Sequence, residues 1–142
     1  MPLSTADVVV LTGTNPAANA EVSETVAAGK GYELLSISIS CVQGITQTPQ
    51  PILVLKDSTG AVIYESFGST TAQAVSTTCQ YTWAPGLTLS GQVGATTNVH
   101  ATASLPQGLV LLPGYTITTN TIGIGANTDY AAPKLFVARF NV

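Results

Sequence analysis

A handful of residues in this chain have types and spacings that can do chemistry. The loop Asp57-Ser58-Thr59-Gly60 sets an aspartate beside two hydroxyls and a glycine. Aspartic proteases bring two Asp-Ser/Thr-Gly loops together so that two carboxylates share one proton. This loop is one residue longer than that pattern, and the chain has no second copy. A hairpin turn is the favoured reading, with Asp57 bonding local backbone and Gly60 at positive φ. Cys41 and Cys79 are the two cysteines. With no His or Asp near them they fall short of the four ligands of a structural zinc site. Buried free thiols are favoured; a disulfide, adding about 4 kcal/mol in the chain-entropy model, is the alternative.

His100 is the single histidine, so any Ser-His-Asp or Cys-His unit would have to use it. No Gly-x-Ser-x-Gly elbow accompanies it, and a polar strand position is the simpler reading. Glu21, Glu24 and Glu33 cluster in sequence, as do Asn127 and Asp129. Calcium wants six to eight oxygens, and neither group has the density of a calcium loop. They read as solvated loop residues. Paired glycosidase carboxylates are not selected by any spacing. Tyr64, Tyr81 and Trp83 can line a sugar platform, but aromatics at alternate strand positions usually face a core. No catalytic residue, cofactor or metal ligand is therefore assigned.

The elements that position these residues read as strands. Residues 32–42 alternate, with Leu35, Ile37, Ile39 and Cys41 on one face and Leu34, Ser36, Ser38 and Ser40 on the other. Apolar runs at 52–56 and 61–65 flank the Asp57 loop as a β-hairpin. Residues 76–83 place Cys79, Tyr81 and Trp83 on one face. Further short strands are expected at 7–11, 22–26, 99–104, 109–112, 115–121 and 135–142, with brief pairing at 87–93. Gly, Pro, Asn and Asp punctuate them. About eight to ten strands make an all-β antiparallel β-sandwich of jelly-roll or Greek-key type. Residues 1–20 are expected to stand apart as an N-terminal arm, and residues 21–142 to form one domain.

Composition narrows the function classes. The 142 residues are 45% hydrophobic, which suits a folded core. Only 8% are charged, and the net charge is −3. Average soluble proteins carry about 25% charged residues. That leaves no basic stripe for nucleic acid and no polybasic patch for a membrane surface. Thr, Ser, Gln and Asn cover the outside instead, and Thr favours strands. No run approaches the roughly 20 apolar residues of a membrane helix. The start lacks the basic n-region of a signal peptide, so synthesis and folding in a cytoplasm are expected.

Two segments carry a resemblance. One is Val26-Ala27-Ala28-Gly29-Lys30-Gly31-Tyr32-Glu33-Leu34-Leu35-Ser36. The other is Leu111-Leu112-Pro113-Gly114-Tyr115-Thr116-Ile117-Thr118-Thr119. Together they resemble small virion structural proteins of tailed bacteriophages, whose pattern runs P-A-G-K-x-x-x-L-L-S and then L-P-x-G-Y-x-I-x-T. Ala27 stands where the first motif has Pro. The resemblance spans roughly residues 22–140. It implies a β-sandwich that decorates or joins parts of a particle, with no catalytic residue.

The expected role is capsid decoration, a cement protein on the outer head surface, with the major capsid protein as partner. The alternatives are a tail, collar or baseplate accessory protein and a carbohydrate-binding module. The resemblance also favours a homotrimer. Val8, Val9, Val10 and Leu11 are the candidate interface, expected to complete a sheet edge of a neighbouring subunit or of the shell.

Overall fold

The computed structural model describes residues 6–142. The first five residues of the expected arm lie outside them. The described residues form eleven strands and no helix. They are β1 (Asp7–Thr12), β2 (Ser23–Thr25), β3 (Lys30–Gln43), β4 (Ile52–Lys56), β5 (Val62–Phe67) and β6 (Thr77–Ala84), then β7 (Val99–Ser104), β8 (Val110–Leu111), β9 (Thr116–Thr119), β10 (Thr128–Tyr130) and β11 (Lys134–Asn141). Two sheets result. Sheet A runs β1-β11-β3-β6-β7, and sheet B runs β2-β9-β4-β5. The all-β sandwich expected from the sequence is what forms, with one or more strands beyond the expected number.

β3 is the spine of sheet A. Its 14 residues offer two long edges. β11 covers Lys30 to Ser38 on one edge, and β10 continues that edge at Cys41 to Gln43. β8 and β6 divide the other edge in the same way. The chain crosses repeatedly between sheets, so β4 and β5 are the hairpin while most other neighbours are distant in sequence. One core cluster joins the layers: Leu34, Ile37, Ile39 and Cys41 from β3, Tyr81 and Trp83 from β6, Leu53 and Leu55 from β4, and Ile117 from β9.

Three expectations change. The phase of β3 flips at Leu35. Leu34 is fully buried and Leu35 only half-buried, because a β-bulge lets Leu35 and Ser36 together face Phe136. A bulge adds one residue to one strand and shifts every side chain before it to the other face. Second, β7 runs parallel to β6. Residues 85–98 are long enough for the crossover that parallel strands need. On the way back, Ser90 and Val93 bond antiparallel to Thr102 and His100. Third, the segment expected to stand apart is docked. β1 pairs antiparallel with β11 of its own chain from Asp7↔Arg139 to Thr12↔Lys134. Val9 and Leu11 pack against the core.

Candidate functional site

Each residue with chemical potential has a definite place. Asp57 lies in the exposed β4–β5 turn. It accepts from Thr59 N–H at 2.8 Å, Thr59 Oγ1 at 2.6 Å and Ala61 N–H at 3.0 Å. Gly60 completes the turn at φ 88°. The Thr59 hydroxyl, ahead of the backbone N–H groups, holds the Asp57 carboxyl below its usual range. All its oxygen contacts are spent within the loop, as a turn-forming Asp requires.

Cys41 and Cys79 are register partners on β3 and β6, both free and both fully buried. Burial pushes the Cys41 thiol up to about 12 and the Cys79 thiol to about 11. The thiolate is the nucleophilic form, so these are inert side chains of the core. His100 is exposed on β7, and its main chain exchanges bonds with Val93 at 2.8 and 2.9 Å.

The three glutamates do not converge. Glu21 is tied between strands: Thr121 N–H and Oγ1 donate to it at 2.7 and 2.8 Å, and Thr119 Oγ1 donates as well. Thr121 also bonds the buried Tyr130 hydroxyl. Glu21 is therefore a cross-strand clasp rather than the solvated loop residue the sequence suggested. Glu24 accepts from Thr14 N–H, while Glu33 sits in β3 opposite Ala138 and Val110. Asn127 donates to Thr46 Oγ1 at 2.9 Å, and Asp129 pairs with Val42. Among the described residues no three His, Cys, Asp or Glu side chains gather as a metal-binding group.

The aromatic platform is absent as a surface. Tyr81 and Trp83 are fully buried, their rings stacked with centroids 6.1 Å apart. Tyr64 is half-buried and donates to Ser104 carbonyl at 2.8 Å. A cleft of about 220 Å³ opens between the ends of β1 and β2, lined by Leu11, Gly13, Glu24, Tyr32 and Ile117 among others. Small-molecule sites usually run from about 300 Å³ upward with several convergent polar groups. This one offers a single carboxylate, already engaged by Thr14.

What the outside does present is a broad, weakly charged face on sheet A. Rows cross its strands: Val10–Phe136–Ser36, Thr12–Lys134–Ser38–Thr82–Thr102 and Ser40–Gln80–His100. Val8 is 60% exposed, Val10 62% and Phe136 40%, an apolar corner at the β1 end. Beside it Lys134 Nζ donates to Thr12 Oγ1 at 2.8 Å, and Gln80 donates to Ser38. Of the candidate interface residues, Val8 and Val10 face out, and Val9 and Leu11 face in. Sequence reasoning missed Phe136, because its exposure depends on pairing with β1.

The two segments that carry the resemblance meet in space. Val26 N–H donates to Tyr115 carbonyl at 2.9 Å, and Gly114 N–H donates to Val26 carbonyl at 3.0 Å. Their turns lead into β3 and β9, one in each sheet. They are fold-forming segments: Glu33 of the first sits within β3, and the Thr119 hydroxyl of the second donates to Glu21, a structural contact.

Fold and surface together define a β-sandwich with a weakly charged sheet face and an apolar corner. No protein-family model matches the chain, and no curated protein matches it. Among solved structures, one titled "Structure of infectious bursal disease virus Gt strain" aligns with 96% of this chain at 10% identity and a TM-score of 0.29. This chain spans 31% of that one. A likeness of that size defines neither a shared fold nor a shared role.

Proposed function

We propose that this protein is a structural component of a tailed-phage virion, a decoration protein that binds the outside of the head and stabilises contacts between capsomers. The observation that supports this best is the outer face of sheet A, with its Val8, Val10 and Phe136 corner and its Ser, Thr and Gln rows. A surface so poor in charge has little electrostatic defence against association, which suits a protein that works while covered by a partner. The role is non-enzymatic: Asp57, the thiols and the glutamates each have a local structural duty. The partner is the major capsid protein, and binding rests on apolar contacts and neutral hydrogen bonds.

The test is electron microscopy of virions carrying a labelled copy of this chain. Label distributed over the head supports the reading; label confined to the tail or baseplate overturns it. Binding to purified heads should persist from about 0.05 to 1 M salt, because few charges are there to screen. Release at moderate salt would overturn the account of the interface.

A further inference from the structure

We propose that the open edge of β1 pairs with β1 of a second copy of this chain, antiparallel, about a two-fold axis at Val10. The inference goes beyond the virion role and rests on the geometry of the edge. Gly13 N–H donates to Pro133 carbonyl on the β11 side, and Thr14 N–H points the other way, to Glu24. Backbone groups alternate along a strand, so those of Val8, Val10 and Thr12 point away from β11. Among the described residues they have no hydrogen-bond partner.

The other edges are guarded. Ser90 and Val93 run along the outer side of β7. β5 carries Glu65 and lies against a bulge at Leu55/Lys56. β2 has three residues, one of them Glu24. β1 has no bulge, proline or lysine, the usual devices that keep an edge from pairing.

A second copy is the occupant the edge fits. In the register centred on Val10, Val8 faces Thr12 of the other copy, Val10 faces Val10, and Thr12 faces Val8. All are β-branched, and Val and Thr are close in volume, so both sides of the axis match. Three such pairs, each exchanging two bonds, give about six hydrogen bonds. On the core side Val9 meets Leu11 of the other copy, covering two half-buried side chains. On the outer side the row Phe136–Val10 continues into its own symmetry copy. The one charge in β1, Asp7, falls far from the other Asp7 but opposite Gly13, beside the Glu24 carboxylate of the other copy, a like-charge contact at each end of the ladder that the central pairs must outweigh. A two-fold normal to the sheet also keeps core face beside core face. This edge closes in pairs, where the resemblance implied a three-fold ring.

Light scattering and sedimentation of the intact chain, from about 1 to 200 μM, test it. A concentration-dependent dimer is expected. Val10→Pro removes the central outward N–H, and Val10→Lys brings two ammonium groups together at the axis. Each should raise the dimer dissociation constant about tenfold or more, with the far-UV circular dichroism of the wild type. If Val10→Pro fails to fold, Val10→Lys decides. Hydrogen exchange gives the register: the Val8, Val10 and Thr12 amides should be protected in the dimer and open in the variants. A monomer at 200 μM, a trimer, or a dimer that both variants leave intact would overturn the proposal. Each outcome is read on the isolated protein, whatever its location in a particle.

Discussion

Gln73 is fully buried, and its side chain ties a loop to the core. Its Nε2 donates to the Cys41 carbonyl at 2.9 Å and to the Thr77 carbonyl at 3.0 Å, and its Oε1 accepts from the Tyr81 hydroxyl at 3.0 Å. Gln73→Met keeps the length and flexibility of the side chain and removes all three bonds. At about 1 kcal/mol per bond, with a buried Tyr81 hydroxyl left nearly bare, the loss is about 3 kcal/mol. For a chain of this size that lowers Tm by about 9 °C. Tyr81→Phe removes one bond and should cost about 1 kcal/mol. In the double variant the orphaned hydroxyl is gone, so the combined loss should fall short of the sum by about 1 kcal/mol. Urea unfolding read by Trp83, the single tryptophan and a buried one, measures all three. A Gln73→Met loss under about 1 kcal/mol, or strict additivity, would refute the reasoning.

Alkaline pH should destabilise the fold. In the unfolded chain both thiols lose their protons near 9.0, while burial holds Cys41 protonated to about 12 and Cys79 to about 11. Their contribution is complete below pH 9 and is lost as pH rises toward 12, so urea midpoints should fall across that window and fall less steeply in Cys41→Ala. Gly68→Ala would place a Cβ 2.7 Å from Tyr81 Cδ1 and 2.8 Å from Trp83 Cζ2. It should cost about 1–3 kcal/mol by calorimetry and alter the near-UV spectrum of the stacked rings.

Local chemistry was legible in the sequence, and long-range geometry was not. The Asp57 turn could be read because its hydrogen bonds close within five residues. β6 could be read because Cys79, Tyr81 and Trp83 keep an unbroken period of two. β3 misled because Leu34 and Leu35 are both apolar, so the pattern fits either phase, and the bulge that chooses is fixed by β11, some hundred residues away. The parallel course of β7 depends on where residues 85–98 cross, which no local signal records. The free-thiol reading of Cys41 and Cys79 agrees with the structure, although their direct opposition needed the register. The Val8 to Leu11 segment was recognised as a strand, but its cis partner β11 was not. The edge that remains open is therefore the one facing away from the body.

The way β3 is served by its neighbours has a consequence for synthesis. Its flanks are filled by β6, β8, β10 and β11, all later in the chain, and its longest partner, β11, begins only at Lys134. On the ribosome, the edge of β3 from Lys30 to Ser38 must wait unpaired until β11 emerges. The nascent chain is thus vulnerable along that edge for the whole interval between the two strands. Holding factors that act through that interval, rather than on the first strands alone, would set how much of this protein a cell recovers.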